Sequence, residues 1–588
     1  MRKQFILLSL LVVASLVLAA CGTPAPATDE PATSVPATEP PTDVATEPPT
    51  EPPAAPGVLR VNLGTFPDML DPQRSSFVNE IAFLKMVYEG LTRLDNDLNT
   101  VEGAAASWEY NEDATVLTFT LREGLVYSDG SPLNAARFEY SFRRNINPAT
   151  AGEYASITDD ILGAAEWRGC TESCDDEQAA VEESVKATHA DGSECTGYDD
   201  AACNTFALTL KQPAPYFHTV ASLWVGFPAK QELIEAGGEN WWLDAANHVG
   251  NGPFVATQLE QGVIAAFGPN ENYWRGAPSY SLEYQYITDS AVAFEAYKNG
   301  ELDITGLAAE DLATVQADAA LNEQAQIYPG SCTFAVMFHQ LKAPFDDPAV
   351  RQAFSYALDR ESWVTDVLQG LGAPTLTWIP PGFPGYEEGE TRFAFDPEKA
   401  VQTLTDAGYT VENGQLMKDG TAIEIVQTFS DTPRNRTRNE WLVAKWKEVL
   451  GIDISLNPVE STTYTALTKD IETAPQMFIL GWCADYPDPQ NWLSVYWKTG
   501  AFGERIGFTN PEMDEVMSQA DAELDPAKRA ELYAQAQNTL IEGGYVAFMW
   551  NNVNSYLVQP WVQGLETTSM DSGWAGDNDP LTITVEPH

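Results

Sequence analysis

The side chains of this sequence that could do chemistry are its histidines, cysteines and carboxylates, and their spacing argues for binding rather than catalysis. The five histidines are scattered. His189 lies in an acidic, Cys-bearing stretch, His218, His248 and His339 have no partner pattern nearby, and His588 is the last residue. The patterns G-x-S-x-G, H-E-x-x-H, G-x-x-x-x-G-K-[ST] and G-x-G-x-x-G, which position a nucleophile, a zinc ion or a phosphate, do not occur. Paired acids carry no weight as a catalytic signal in a chain with 85 Asp and Glu. Cys170, Cys174, Cys195 and Cys203 sit in a stretch of low hydrophobicity that reads as an insertion. The seven residues between the second pair make too wide a loop for a zinc site. Two disulfides are expected among these four, with three connectivities left open. No metal, cofactor or catalytic residue is assigned, and the chain is not read as an enzyme.

The compartment follows from the N-terminus. Arg2 and Lys3 precede an apolar run from Phe5 to Ala20 that ends in Leu18-Ala19-Ala20-Cys21-Gly22. The run is short for a bilayer span, which needs about 20 apolar residues, and its flanks are those of an export signal, residues 1–20. Small residues followed by Cys and Gly resemble a lipoprotein processing site, which makes Cys21 the lipidated first residue of the mature protein. Thr23 to Pro56 then hold 11 Pro, 7 Thr and 6 acidic residues without Lys or Arg, a composition that builds no core. With Cys21 they form a tether, 21–56, of extended chain at roughly 3 Å per residue. The expected location is extracytoplasmic, held to the cell membrane by lipid. A formal charge of −53 excludes nucleic acid as a partner.

The remaining body of about 530 residues exceeds one hydrophobic core, so at least two lobes are expected. Val58 to Leu63 alternates like a half-buried strand, and Phe77 to Leu91 carries helical apolar spacing. Val116 to Leu121 predicts a second strand, and Asn134 stands where it would cap a helix bearing Ala135, Phe138 and Phe142 on one face. Asp347-Pro348 opens a helix predicted to end near Arg360. Another carries Trp441, Lys445 and Val449 and closes at Gly451, before a strand over 452–456. Interleaved helices and strands predict α/β lobes.

Four stretches carry a family resemblance through their content and order. They are Leu70-Asp71-Pro72 with Tyr88-Glu89-Gly90-Leu91, and Phe119-Thr120-Leu121-Arg122-Glu123-Gly124 with Ser128 to Leu133. Then come Gly250-Asn251-Gly252-Pro253-Phe254 with Asn270 to Trp274, and Pro344 to Ala353 with Ala357-Leu358-Asp359-Arg360. Together they resemble the dipeptide- and oligopeptide-binding receptors of ABC importers, the family 5 solute-binding proteins. The resemblance implies a bilobed, periplasmic-binding-protein-like α/β clamp with an extra subdomain on its first lobe. The first lobe would comprise 57–92, 245–330 and 553–588, the subdomain 93–244 with the Cys-bearing insertion, and the second lobe 331–552. It implies a monomer that encloses a peptide between the lobes and hands it to a membrane permease. The family also includes receptors for oligosaccharides, nickel complexes and haem, the alternative reading of the ligand.

The same resemblance places the ligand. Gly481-Trp482-Cys483-Ala484-Asp485-Tyr486-Pro487-Asp488-Pro489 looks like the segment that supplies the ammonium-binding aspartate of oligopeptide receptors, with Asp485 at that position. A peptide ammonium leaves water on entering a closed cleft, and a carboxylate in contact offsets that loss. Trp482 and Tyr486 are candidates to line the same pocket, and Ser76, Phe77 and Val78 to line it from the first lobe, where main-chain hydrogen bonds hold peptides irrespective of side chain. The family's oligopeptide branch has a disulfide beside this aspartate, and its positions match Cys332 and Cys483. Two residues before Gly481, where such receptors can carry a carboxylate-gripping arginine, this chain has Ile479, so the far end of the ligand must be held otherwise.

Overall fold

The structure, a computed structural model, describes residues 57–587, without the side chains of Ser461, Thr462 and Thr465. Cys21, the export signal and the tether lie outside the described residues. Within them no helix is long and apolar enough to cross a membrane.

One mixed sheet runs through the body. The strands along its main path, in chain order, are β1 (Gly57–Asn62), β2 (Phe254–Glu260), β3 (Ile264–Pro269), β4 (Tyr280–Gln285), β5 (Ile304–Gly306), β6 (Ala325–Phe338), β7 (Val426–Ser430), β8 (Ser455–Val459), β9 (Met477–Cys483) and β10 (Val546–Val558), and the short strand Ala373–Pro374 pairs with β10 beside them. Across the sheet they lie in the order β8-β7-β9-β6-β10-β5-β1-β4-β3-β2. The alternation at Val58–Leu63 appears as β1, with Leu59 and Val61 buried, parallel to β4.

The molecule is a bilobed α/β clamp, and β6 and β10 are the strands common to both halves. On one side Ala325–Pro329 pairs with Val553–Leu557; on the other Thr333–Met337 pairs with Val546–Asn551. The second half is apolar on both faces of its sheet. Val336, Phe338, Met477, Ala547 and Met549 join a core with Trp363 and Trp446, while Ala335, Met337, Phe478, Val546 and Phe548 join one with Trp378, Trp492 and Trp497. That alternation buries an almost continuous apolar run, as strands covered on both faces require. In the first half, Leu59, Phe254, Leu282 and Tyr284 share one continuous core with Phe119, Phe138 and Phe206, so these residues have no separate core of their own.

Several sequence expectations shift in detail. The strand Val116–Leu121 and the helix Ala135–Ile146 are present, but Asn134 does not cap that helix. Its Nδ2 donates to the carbonyls of Gly197 and Asp200, tying down the insertion. Asp347 does cap the helix Pro348–Tyr356, which stops four residues before Arg360, where a short turn of helix begins. Gly451 closes the helix Pro433–Leu450 at φ 73°, yet the next strand is Ser455–Val459, because Ile452 is drawn into the second-lobe core before pairing starts. In the insertion Cys170 bonds Cys174 and Cys195 bonds Cys203.

Where β6 passes between the lobes its ladder breaks. Pro329 pairs with Val553 and Thr333 with Asn551, so Gly330, Ser331 and Cys332 stand opposite Asn552 alone. Asn552 Oδ1 accepts the Cys332 amide at 2.7 Å, and a Cβ on Gly330 would lie 2.3 Å from Asn552 Nδ2. Gly330→Ala therefore displaces Asn552 and frees a partly buried amide, at a cost of about 1–3 kcal/mol. In urea denaturation Gly330→Ala and Asn552→Ala should each lower stability, and the double variant should fall well short of their sum. Full additivity would show that the two residues do not act through one contact.

Candidate functional site

A cavity of about 590 Å³ opens between the lobes, within the range of small-ligand sites. The second lobe supplies Gly481, Trp482, Asp485 and Phe502 to its wall, and the first supplies Ser76, Val78 and Lys85, with Tyr154 and Trp224 from segment 93–244.

Asp485 follows directly on β9, and the residues after it fold back to hold it. Asp488 caps the one-turn helix Pro489–Trp492 through the Gln490 amide at 2.8 Å. Arg529 grips both oxygens of Asp488, at 2.7 and 2.8 Å. The helix so fixed points the fully buried Asn491 back at Asp485. Its Oδ1 accepts the Asp485 amide at 3.1 Å and Trp482 Nε1 at 3.2 Å, and its Nδ2 donates to Asp485 Oδ2 at 3.0 Å. The hydroxyl of Tyr154, 331 residues away in sequence, donates to the same Oδ2. Tyr154 is aimed there by stacking on Trp224 at 5.3 Å.

Asp485 Oδ1 is left with no hydrogen bond, and no Lys, Arg or His pairs with this carboxylate, among the described residues. Asp485 is half-buried because it sits deep in the molecule while keeping part of its surface on the cavity. Loss of water raises its pKa to about 6, against the lowering pull of Tyr154 and Asn491. Burial also pushes the Tyr154 phenol far up, so it remains a donor at every physiological pH.

Of the other residues singled out by sequence, Trp482 is on the cavity wall, packed against Phe502 at 5.0 Å. Tyr486 is not. It is 1% exposed, packs against the first-lobe core and donates to Gln490 Oε1. It faces a second cavity of about 1080 Å³ between residues 154–220 and 469–521, whose wall shares Tyr154 and Phe502 with the first. Although larger, that space contains no carboxylate placed as Asp485 is. Ser76 and Val78 line the first cavity, but Phe77 turns outward, 58% exposed. The amides of Ser76 and Phe77 are taken by Glu80 Oε2 at 2.7 and 2.9 Å, so neither offers a donor to a strand-like ligand. Cys332 and Cys483 face each other across the β6–β9 ladder and are disulfide-bonded. Ile479 packs in the second-lobe core. Among the described residues no cluster of His, Cys, Asp and Glu is arranged to hold a metal ion.

Sequence reasoning missed Tyr154, Asn491 and Phe502. Asn491 had a signal, since Asp488-Pro489 marks a helix start that brings the following turn back over Asp485. Tyr154 had none, because only the folded chain brings it near.

The family described as bacterial extracellular solute-binding proteins, family 5, matches residues 99–504. The oligopeptide-binding protein of Bacillus subtilis (strain 168) is 26% identical over 514 residues, covering 86% of this chain and 88% of the relative. The periplasmic oligopeptide-binding protein of Escherichia coli (strain K12) is 28% identical over 516 residues, with the same coverage of each. Among solved structures, the Escherichia coli murein tripeptide-binding protein aligns with a TM-score of 0.73 at 23% identity, covering 91% of this chain and 99% of that one. A Haemophilus influenzae oligopeptide-binding protein in complex with a peptide aligns with a TM-score of 0.70 at 24% identity, covering 90% and 99%. The structural likenesses establish the bilobed fold, and the sequence match extends over most of the body: the chain belongs to the family 5 bacterial extracellular solute-binding proteins.

Proposed function

We propose that the chain is the substrate-binding lipoprotein of an ABC importer, anchored through a lipid on Cys21, that captures peptides between its lobes as a monomer and delivers them to a membrane permease. The lobes are taken as 57–92, 245–330 and 553–588 for the first, with 93–244 added to it, and 331–552 for the second. Several relatives are named for binding oligopeptides. The observation that carries the reading here is the open Oδ1 of Asp485. A carboxylate withdrawn from water, held by two neutral donors on one oxygen and by none on the other, is matched by an ammonium bringing both charge and protons. Trp482, Ser76 and Val78 line the space beside it. An oligosaccharide reading gains little from the sixteen tryptophans. Among the described residues only Trp224 and Trp482 reach this cavity, and each already packs against an aromatic ring.

Asp485→Ala should weaken peptide binding by about 2–5 kcal/mol, the range for truncating one partner of a buried charge pair. N-acetylation of the peptides should cost the wild type a comparable amount and the variant almost nothing. Calorimetric titration with free and acetylated peptides checks both, and equal binding of the two by wild-type protein would refute the ammonium site.

The pH dependence follows from the raised pKa. With a folded value of about 6, above that of an exposed Asp, ionised Asp485 costs folding free energy above that pH, and the cost fades as pH falls toward about 4. Ligand binding has the opposite sign, because an ammonium needs the ionised form. Affinity should be highest near pH 7, fall by up to about tenfold per pH unit below 6, and weaken again above about pH 8, where a peptide's α-ammonium loses its proton. Asp571, at about 6, and Glu89, also raised by burial, line the same cavity, so the profile is read as wild type minus Asp485→Asn. A difference flat from pH 5 to 8 would contradict the assignment.

A further inference from the structure

The stretch from Cys170 to Cys203 lines neither of the cavities described above, yet it is held firmly. Two disulfides close it, and Asn134 binds the carbonyls of Gly197 and Asp200. Arg143 donates to the carbonyls of Glu182 and Val185, at 2.7 Å each, where the helix Asp175–Ser184 ends. Constraint of this kind on a polar segment fixes a surface, and the surface borders a third cavity, of about 970 Å³. Gln178, Glu182 and Tyr198 line it from this stretch and Trp167 from just before it, while Tyr140 and Asn147 line it from the helix Ala135–Ile146 and the turn that follows. It shares no lining residue with the other two cavities.

The charges on this wall cancel in pairs. Arg144 grips both oxygens of the buried Asp71, at 2.6 Å each, Arg143 meets Glu139 at 2.8 Å, and Arg74 meets Glu239 at 3.3 Å. Among the described residues, Glu182 is the one acid of the wall without a cation, and its Oε1 takes Gln178 Nε2 at 2.8 Å. What is left over is neutral and mixed in sense. Trp167 is 6% exposed, and its indole N–H has no hydrogen-bond partner among the described residues. Nor has the Tyr140 hydroxyl, on a ring packed against the first-lobe core; burial pushes that phenol up to about 12, so it keeps its proton. Asn147 spends its oxygen on the Ala149 amide and leaves its nitrogen, and Gln178 spends its nitrogen and leaves its oxygen.

We propose that this groove is a second binding site, separate from the peptide cavity, and that it takes an uncharged oligosaccharide. A charged ligand has to break one of these ion pairs or stay unmatched. Sugar hydroxyls, each donor and acceptor at once, meet the spare donors and acceptors of the wall together. Tyr140 offers ring surface with a polar handle to the apolar face of a sugar, as does Tyr198, whose ring is backed by the Arg137 guanidinium at 3.6 Å. The volume is at the upper end of small-ligand sites, room for a few sugar rings. A wall ordered beforehand by two disulfides loses little freedom when the ligand arrives, which gives the Cys-bearing stretch a purpose. The site does not depend on the peptide reading.

The test probes an array of neutral oligosaccharides of glucose, mannose, xylose and N-acetylglucosamine, with uronic acid oligomers beside them, using purified full-length protein. Series that bind are then titrated calorimetrically as soluble oligomers and sedimented as the matching insoluble polymer. At least one neutral series should bind and the uronic acid oligomers should not. Tyr140→Ala should lower the affinity at least about tenfold, and Tyr140→Phe and Trp167→Phe each by roughly two- to tenfold, the worth of one hydrogen bond. Melting curves identify any variant that fails to fold, and the wild-type array needs no variant. Binding of soluble oligomers points to a free sugar and sedimentation with polymer to a surface glycan; either supports the groove. Binding of no neutral series, or of the acidic oligomers alone, would overturn it. So would sugar binding lost in Asp485→Ala and kept in Tyr140→Ala, which places the sugar in the cleft.

Discussion

A carboxylate withdrawn from water without a cation beside it must find donors, take up a proton or be joined by a ligand, and the centre of this protein is arranged around that constraint at Asp485. The donors are neutral and both fall on Oδ2. Each is held by parts that make sense only together. Asn491 is in place because Asp488 caps its helix and Arg529 clamps Asp488. Tyr154 is in place because it stacks on Trp224, whose Nε1 is bonded to the Ser75 carbonyl at 2.7 Å. The residual imbalance appears as a pKa raised to about 6, a penalty that neutral donors reduce without removing.

The path of β6 explains how this site belongs to a two-lobed molecule. The strand crosses from one lobe to the other through the irregular Gly330–Cys332 step, and Cys332 is bonded to Cys483, two residues before Asp485. The strand that carries the site is thereby fixed to a strand common to both lobes at the point where that strand bends. Ser331, Cys332 and Asn552 also line the cavity, so the place where pairing between the crossing strands is weakest is itself part of the binding wall.

Local pattern carried far in this sequence where the determining contacts are local. Val116–Leu121 alternates and is a strand with alternate residues buried, and Asp347-Pro348 is a cap because both halves of that signal act within one turn. It failed where a tertiary contact competes. Asn134 prefers two carbonyls of the insertion to its own helix, and Ile452 serves the core before its strand begins. At the site, family likeness marked Asp485 and Trp482. Adjacency misled for Tyr486, which leaves the turn on the opposite side, and for Phe77, whose neighbours line the cavity while it faces out.

The two donors on Asp485 come from distant parts of the chain. Asn491 stands six residues after Asp485 and Tyr154 331 residues before it. Other contacts join the same parts of the chain: the Tyr216 hydroxyl with Gln490 at 3.2 Å, Arg529 over the Tyr216 ring at 5.3 Å, Tyr486 in the core of Leu59 and Tyr284, and Leu98 against the core of Trp378. An ammonium at the open Oδ1 need not displace Tyr154. On the proposed reading it would keep Asp485 ionised to lower pH, where the Tyr154 contact would otherwise lose its charge assistance; a charge-assisted hydrogen bond is roughly twice as strong as a neutral one. A charge placed at Oδ1 is thereby coupled, through one carboxylate, to a contact between residues 331 apart in sequence.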